Sequence, residues 1–436
     1  MSKRNFILLT IVLTIVVIIV LGFLYSKKDA VPTDGGGGGT NFIARFNPFS
    51  DRSPEDPNVT PPPSSPDLPP EEGEILEVKL NKISSMPVAG FGVYKKERLK
   101  EVLTSTPTEI ETSQTTPAPP STEFVTALRS VDRATGNIYQ TFADKIEERK
   151  FSTTVIPQIY EAHFGNQGTS VVMRYLQPDG QTIETFLGNL PKELLAGDTM
   201  ENNEVKGSYL PTDITDLSVS PDAKKIFYMF NLGESAIGTT LNLGDNRKVQ
   251  VFDSPFTEWL SQWPKNSLVT LTTKPSSNIG GYMYFIDLDR KTFTKVLGSI
   301  DGLTTQTSPN GKLVLYSGND LSLYVYHTDT RDSSLIGVKT LPEKCVWGSL
   351  SDILYCAVPK SLNIGAYPDI WYKGGVTFND QIWKIDLVNG NTMIIEDPFA
   401  TTGEEVDGTK LALDESENYL FFVNKKDSYL WELELK

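Results

Sequence analysis

Cysteine and histidine, the residue types that most often carry redox, metal-binding or proton-transfer chemistry, are scarce in this chain of 436 residues. Two of each occur: Cys345, Cys356, His163 and His327. They form no Cys-x-x-Cys pair and no cluster with the spacing of a zinc or haem site. No nucleophile elbow, phosphate-binding loop, zinc-protease helix or calcium loop is present. We therefore expect no catalytic residues, no metal and no cofactor, and interpret His163 as structural and His327 as solvated at a strand end.

The two cysteines flank a predicted hairpin that runs from Cys345 to Cys356. With a turn of two or four residues they lie opposite each other, with Cβ atoms about 4.5–5.5 Å apart, at the edge of disulfide range. With a bulged turn the register shifts by one residue and they do not meet, which leaves two buried free thiols as the alternative. An oxidising compartment favours the bond, and we predict a Cys345–Cys356 disulfide.

Aromatic residues are concentrated in one predicted insertion, from Asn363 to Asp380. Aromatic rings with few charges, carried on a loop, are typical of an interface core. A related Asn-Ile-Gly-x-Tyr pattern occurs at Asn278–Tyr282, and we expect both connections to lie on one face of the fold. The candidate binding surface consists of Tyr367, Trp371, Tyr372, Phe378 and Tyr282. The alternative is that these rings only cover the ends of the neighbouring strands.

The elements that position these residues follow from a repeated hairpin. Six times a polar turn runs directly into a short apolar run, most clearly at Ser220–Tyr228 and Ser308–Tyr316. Proline at the second turn position and Asp or Asn at the third suit a type I turn, and Gly311 suits the left-handed residue of a bulged hairpin. Successive copies lie 40 to 66 residues apart, and several spacings match the roughly 40–50 residues of a propeller blade. A β-sandwich with coincidental hairpins is the alternative.

The number of blades follows from closure. The last predicted blade begins at Leu411 and is one strand short after Trp431–Leu435, and the run Ile75–Leu80 can supply the missing strand. Joining the two segments removes open sheet edges. We therefore predict an all-β fold, a single β-propeller of seven four-stranded blades closed by an N-terminal strand, with six or eight blades as alternatives. Residues 87–94 are predicted as inner strands of the first blade and 125–142 as its outer strands.

A transmembrane helix is predicted before the propeller. The run Phe6–Tyr25 has about 20 residues without a charge, enough to span a hydrocarbon core of about 30 Å. It ends without a small-x-small cleavage site, so we predict an uncleaved anchor rather than a signal peptide. The domains are then the N-terminal tail and anchor at 1–28, a disordered Gly/Pro-rich linker at 29–73, and the propeller at 74–436. We expect a single-pass protein of the cell membrane with its propeller on the extracytoplasmic side.

The overall charge argues against one class of partner. The chain has 55 acidic and 40 basic residues and a net charge of −15. Such a surface repels phosphate backbones, so nucleic acid is excluded as the expected partner.

The repeated hairpin carries a resemblance to a known family. The pattern Ser-Pro-[Asp/Asn]-[Gly/Ala]-Lys-x-[Ile/Val/Leu], followed by a third strand of the type Tyr-x-[Ile/Val]-Asp-Leu, resembles the WD40-like repeats of TolB-type propellers. The layout of anchor, tether and propeller also resembles that of uncharacterised membrane-anchored bacterial proteins. The resemblance implies a protein-binding scaffold, while some related propellers carry enzymatic domains.

The expected function is that of a non-enzymatic, membrane-tethered scaffold that binds a protein partner outside the cytoplasm. One alternative is a propeller that binds a glycan of the cell envelope, with aromatic rings stacked on sugars. The other is a propeller hydrolase or lyase that uses carboxylates in the central channel.

Overall fold

Seven antiparallel four-stranded sheets contain all 28 strands of the computed structural model, which describes residues 80–100, 121–193 and 203–436. Six sheets are built from four strands that are consecutive in the chain, and the seventh combines the last three strands with the first. This is the topology of a closed seven-bladed β-propeller. The predicted fold class and blade number are therefore confirmed.

The strands are numbered β1 to β28 in chain order. Blade 1 consists of β2 Val88–Leu99, β3 Thr122–Asp132, β4 Ile138–Phe142 and β5 Lys145–Lys150. Blade 2 consists of β6 Ile159–Gly165, β7 Ser170–Leu176, β8 Ile183–Asn189 and β9 Lys206–Tyr209. Blade 3 consists of β10 Ile214–Val219, β11 Lys225–Leu232, β12 Ser235–Asn242 and β13 Lys248–Ser254. Blade 4 consists of β14 Trp259–Lys265, β15 Leu268–Thr273, β16 Gly280–Asp287 and β17 Thr292–Asp301.

The remaining blades follow the same plan. Blade 5 consists of β18 Thr304–Thr307, β19 Leu313–Ser317, β20 Ser322–His327 and β21 Ser333–Lys339. Blade 6 consists of β22 Cys345–Trp347, β23 Ile353–Pro359, β24 Asp380–Asp386 and β25 Thr392–Glu396. Blade 7 consists of β26 Gly408–Leu413, β27 Tyr419–Asn424, β28 Leu430–Glu434 and β1 Leu80–Lys82. The first strands of neighbouring blades contact each other: β2 contacts β6, and β10 contacts β14. These first strands therefore surround the central channel.

Helical structure in the described residues is limited to short segments in the connections. They are a 3-10 turn at Pro342–Lys344 and the helices α1 Asp369–Tyr372 and α2 Pro398–Thr402. None of the helices within residues 80–100, 121–193 and 203–436 is long and apolar enough to cross a membrane. The predicted anchor Phe6–Tyr25 and the linker 29–73 lie outside the described residues, so both stay predictions.

The repeated turn joins the first and second strands of a blade. In blade 3 the Ser220 hydroxyl donates to the Asp222 carboxylate at 2.6 Å and accepts from the Lys225 backbone N–H at 2.9 Å. The turn at 308–313 makes the same two contacts, at 2.8 and 3.0 Å. One hydroxyl thus ties the proline-containing turn to the start of the second strand, which explains why serine opens both turns.

The register at these turns differs from the sequence expectation. Ala223 and Gly311 both adopt left-handed backbone conformations, with φ of 54° and 75°. However, Val219 pairs with Ile226 and Thr307 with Val314, with no bulge at the turn. The prediction of a bulged hairpin is wrong, because a four-residue loop accommodates the left-handed residue without shifting the strands.

The hydrophobic core lies between neighbouring blades. The second strand of each blade is covered on both faces, and residues 226–229 of β11 are at most 2% exposed. Burial on both faces explains why these strands appear in the sequence as continuous apolar runs rather than as alternating patterns. Between blades 6 and 7, Tyr355 and Ala357 of β23 pack with Leu420 and Phe422 of β27.

Closure depends on the pairing of β1 with β28, in which Leu80 lies opposite Leu433. The predicted closing strand, Ile75–Leu80, therefore overlaps the observed strand at Leu80, and residues 75–79 lie outside the described residues. In blade 1 the predicted inner segment 87–94 lies in β2, the innermost strand. The segment 125–142, predicted as outer strands, forms instead the second and third strands, because β5 at Lys145–Lys150 completes the blade.

We expect Leu80→Ala to weaken this closure. Leu80 is 9% exposed and packs with Leu420 and Leu433, and truncating a buried leucine costs about 2–5 kcal/mol. Denaturant unfolding of a chain comprising residues 74–436 measures the loss of unfolding free energy. Met86→Ala is the control, because Met86 is 37% exposed, and we expect it to change stability by about 0.5 kcal/mol or less. Equal effects of the two substitutions would show that β1 does not hold the ring closed.

Candidate functional site

The aromatic insertion forms the connection between β23 and β24 of blade 6 and contains α1. It extends over blade 5 as far as blade 4, where the Asp369 carboxylate accepts a hydrogen bond from the backbone N–H of Ser277. Ser277 lies in the connection between β15 and β16, the equivalent position of its blade. The two related connections, Asn278–Tyr282 and Asn363–Asp380, therefore lie on one face of the propeller, as their pattern predicts.

Most of the insertion's rings point inward. Tyr367, Trp371 and Phe378 are at most 5% exposed and pack with Leu321 and Leu341 of the neighbouring blade-5 connections. The prediction that these three rings form an exposed binding surface is wrong. The insertion adds no strand to a sheet, so its own large side chains must supply the apolar core that holds it on the propeller.

The other two candidate residues lie apart from that core. Tyr372 is 39% exposed and lies at the edge of the central cavity. Tyr282 is half-buried on blade 4, where its ring lies 4.6 Å from the Lys295 ammonium and its hydroxyl 3.3 Å from Ser299 Oγ. Of the five predicted surface residues, only Tyr372 is both exposed and next to the channel.

A buried ion cluster holds the insertion in place. The Lys344 ammonium and the Asp380 and Asp407 carboxylates have no exposed surface. Lys344 Nζ donates to Asp380 Oδ2 at 2.8 Å, to Asp407 and to the Gly408 carbonyl at 3.0 Å. Burial raises the pKa of Asp380 to about 6, although the neighbouring ammonium partly offsets this effect. The cluster is fully buried and almost fully hydrogen-bonded, the condition under which buried charges are tolerated.

The same cluster reaches into the insertion through Asp407. Its Oδ2 accepts hydrogen bonds from Trp371 Nε1 at 2.9 Å and from the Phe378 backbone N–H at 3.1 Å. A second lysine, Lys425, donates to the Trp371 carbonyl, and its ammonium lies 3.8 Å from the centre of the Trp371 ring. The ammonium groups of Lys344 and Lys425 and the Asp407 carboxylate thus fix the orientation of Trp371.

Sequence reasoning did not identify the cluster. Its members lie in three separate segments of the chain, and isolated charged residues in loops and at strand ends are ordinarily solvated. The one local signal is position: Asp380 is the first residue of β24 and Asp407 directly precedes β26. Two carboxylates at the starts of strands in neighbouring blades are candidates for a shared cation.

A cavity of about 740 Å³ occupies the central channel next to the insertion. Its walls come from the first strands of blades 2, 4, 5, 6 and 7 and from α1. The ionisable side chains that line it include His163, Glu343, Lys410 and Lys425. His163, interpreted as structural from the sequence, faces this cavity and bonds to Glu161 at 2.9 Å. His327 is exposed at the end of β20, as predicted.

Four side chains in this cavity carry polar atoms without a hydrogen-bond partner among the described residues. The atoms are Trp263 Nε1, Gln306 Oε1, Thr307 Oγ1 and Glu343 Oε1, and all four are buried. Trp263 and Thr307 are each only 5% exposed. Buried polar atoms are satisfied in most native structures, so four such atoms around one cavity make it the candidate ligand site.

Two carboxylates near the insertion have raised pKa values. Burial raises the pKa of Glu343 to about 7, against the lowering effects of the Tyr372 hydroxyl and of Lys344. Burial likewise raises the pKa of Asp216 to about 6, partly offset by two hydrogen bonds from Ser261. Both carboxylates line a second, smaller cavity of about 170 Å³. Carboxyl groups with pKa values near neutrality in a cleft are candidates for proton transfer or ligand recognition.

The two cysteines lie opposite each other on β22 and β23 and are joined by a disulfide, with their Cα atoms 4.0 Å apart. Cys345 also lines the channel cavity, and its carbonyl accepts a hydrogen bond from Gln306 at 2.9 Å. The bond therefore ties β22, which lines the channel in blade 6, to the neighbouring strand β23. Nowhere in the described part of the chain do three or more His, Cys, Asp or Glu residues form a group that could hold a metal ion.

We expect Lys344→Met to destabilise the protein by about 3–5 kcal/mol, because it leaves two buried carboxylates without their cation. Urea unfolding at pH 8 measures the loss. The loss should shrink on lowering the pH to 5: without the cation the pKa of Asp380, which burial already raises, rises further in the folded state, and protonation then removes its buried charge. Lys274→Met is the control, since Lys274 pairs with Glu258 at the surface, and it should cost about 1 kcal/mol or less. A pH-independent loss would contradict the electrostatic explanation.

No family model matches this chain, and no curated protein matches its sequence. Among solved structures, it is similar to an oligogalacturonate lyase in complex with manganese, with 10% identity, a TM-score of 0.45 and coverage of 71% of this chain and 85% of that one. An oligogalacturonate lyase from Vibrio parahaemolyticus gives 7% identity, a TM-score of 0.45 and coverage of 71% and 86%. TolB from Acinetobacter baumannii gives 9% identity and a TM-score of 0.38; 70% of this chain is covered but only 61% of TolB. The β-propeller that the hairpin motif predicts is confirmed by the seven four-stranded blades themselves.

Proposed function

We propose that this chain is a non-enzymatic, membrane-tethered propeller that binds a protein partner outside the cytoplasm and holds an extended segment of that partner in its central channel. The observation that carries the proposal is the set of four buried, unpaired polar atoms around the cavity of about 740 Å³. These atoms are already desolvated in the folded protein. A ligand that pairs with them therefore gains hydrogen bonds without a further cost for desolvating the protein atoms.

The types of these atoms suit a polypeptide. Trp263 offers a donor, whereas Gln306 and Glu343 each offer an acceptor. An extended backbone presents carbonyl and N–H groups in alternation, so it can pair with both kinds. Tyr372, partly exposed at the edge of the cavity, supplies an aromatic surface for an apolar side chain of the segment.

The proposed location outside the cytoplasm has two supports. The first is the uncharged run Phe6–Tyr25, which has the length of a transmembrane helix. The second is the Cys345–Cys356 disulfide, because such bonds persist in oxidising compartments and are rare in the cytosol. With no second predicted span, the whole propeller lies on one side of the membrane.

Two other functions are consistent with part of the site. Sugar hydroxyl groups also donate and accept hydrogen bonds, so an envelope glycan could occupy the channel with a ring stacked on Tyr372. An enzyme is favoured by one specific observation, the presence of Glu343 and Asp216 with pKa values of about 7 and 6 in one small cavity.

The test is a pull-down from detergent-solubilised membranes with the full chain and with the double variant Gln306→Leu, Thr307→Val. Thr307→Val removes an unpaired hydroxyl, whereas Gln306→Leu removes the unpaired Oε1 together with the hydrogen bond that Gln306 Nε2 donates to the Cys345 carbonyl. We therefore expect the melting temperature to fall by a few degrees at most. We expect recovery of the partner to fall about tenfold or more. Thr292→Val, on the exposed outer strand of blade 4, is the matched control and should bind normally.

Each alternative has its own signature in the same preparation. Equal recovery by the double variant would place the binding surface outside the channel and contradict the proposal. Retention on cell-wall polysaccharide without a stoichiometric protein would favour the glycan. Hydrolysis or lysis of a polymer that is abolished by Glu343→Gln would establish the enzyme.

A further inference from the structure

A small side chamber of about 170 Å³ lies beside the main channel cavity. Gln262, Glu343 and Tyr372 line both spaces and therefore form the boundary between them. The rest of the chamber wall is mostly hydroxyl and carboxylate groups, including Asp216 and Ser261. The chamber is much smaller and more polar than an extended backbone requires, so it must serve a single side chain or small group.

The two spaces differ in charge. The residues lining the chamber include two acids, Asp216 and Glu343, and no Lys, Arg or His. By contrast, the main cavity is lined by two lysines, Lys410 and Lys425, and the one acid in its wall is Glu343, which it shares with the chamber. A positively charged group is therefore attracted to the chamber and disfavoured in the main cavity.

The acids of the chamber retain unused hydrogen-bonding capacity. Ser261 donates to Asp216 through its backbone N–H and its hydroxyl, each at 2.6 Å, and both bonds end on Oδ2. The Oδ1 atom of Asp216 has no hydrogen bond to the described residues. Glu343 Oε1 is buried and likewise unpaired within the described part of the chain. Two acceptor atoms thus remain for one incoming donor group.

We propose that the side chamber receives one lysine ammonium or arginine guanidinium group of the segment bound in the channel, paired with Asp216 and Glu343. This inference rests on the proposed function, since it assigns the specificity of the same channel. A cationic group carries several N–H donors and no acceptor, which matches two carboxylate oxygens and the surrounding hydroxyl groups.

The surroundings of the two acids agree with this assignment. Burial raises the pKa of Asp216 to about 6 and that of Glu343 to about 7. The hydrogen bonds and charges around the two carboxylates therefore do not fully offset the cost of burying their ionised forms. The charged and titratable groups that act on them are Tyr372, Lys344, Lys425 and Asp407 around Glu343, and Glu161 and Arg174 around Asp216. A bound cation would lower both pKa values and release protons, so affinity should fall as the pH drops through the values of the free protein, from about 7 downwards.

The experiment uses pools of random nine-residue peptides with one fixed position, occupied by arginine, lysine, citrulline or norleucine. Binding to the full chain in detergent is measured at pH 7.5 and pH 5. We expect the arginine and lysine pools to bind at least about tenfold more tightly than the citrulline pool, which has nearly the same shape without the charge. At pH 5 this preference should be lost, because protonation neutralises the chamber.

Variants locate the preference. Asp216→Asn, at a residue that lines only the chamber, should remove most of the preference for arginine over citrulline while leaving the citrulline pool bound as before. Glu343→Gln should also remove most of the preference, and it should weaken both pools because Glu343 lines the main cavity as well. Glu234→Gln, an exposed acid between β11 and β12, is the matched control and should keep the preference. The comparison of arginine with citrulline on the unmodified chain needs no variant, so a misfolded variant does not prevent the test.

The outcomes separate this inference from the proposed function. If all four pools bind the unmodified chain equally, the channel takes peptides without a cation subsite, and this inference is overturned while the proposed function stands. If the charge preference persists in both acid variants, the cation binds elsewhere and the chamber assignment is wrong. If no pool binds at all, both the proposed function and this inference fail.

Discussion

The buried contact of Lys344 with Asp380 and Asp407 is the interaction on which the rest of the site depends. It joins three connections that are far apart in sequence and, through Asp407, fixes Trp371 of the insertion. Lys344 is preceded by Glu343, which faces the channel, and followed by Cys345, which forms the disulfide. Burying charged groups carries a desolvation penalty, so a charged cluster is an unfavourable way to hold a loop. The insertion, however, adds no strand to a sheet, and the directional ionic contacts also set its orientation.

The propeller could be predicted from the sequence because the residues that form each turn and strand lie close together in the chain. Each Ser-Pro turn is satisfied by a serine hydroxyl within six residues of chain, and each following apolar run is a strand buried between two blades. Repetition of that local unit specifies the ring, and the need to remove sheet edges specifies closure. The bulged register was predicted incorrectly because a left-handed residue fits both a bulged loop and a four-residue loop, and the sequence at Ala223 does not distinguish them.

The candidate site was predicted only in part, for the opposite reason. The insertion was located correctly between two strands of one blade, but whether its rings face solvent depends on Leu321 and Leu341, which lie in other connections. Trp371 is buried in part because Asp407 lies at the edge of its ring and Lys425 lies over the face of the ring. No pattern within the insertion encodes those neighbours. The acids Glu343 and Asp216 were missed likewise, since carboxylates are abundant in the chain and only the three-dimensional arrangement sets these two apart.

The division of charge inside the channel has a consequence for any occupant. The chain as a whole is strongly acidic, with a net charge of −15, yet the main cavity is lined by Lys410 and Lys425 and shares its one acid, Glu343, with the side chamber, which Asp216 also lines. A segment that carries a cation at the chamber and polar or acidic groups along the main cavity matches both spaces. A segment without a cation leaves the chamber acids unpaired, and one with a cation against the two lysines is disfavoured. The charges of a segment would therefore decide how well it fits, because Tyr372 of the insertion lines both spaces.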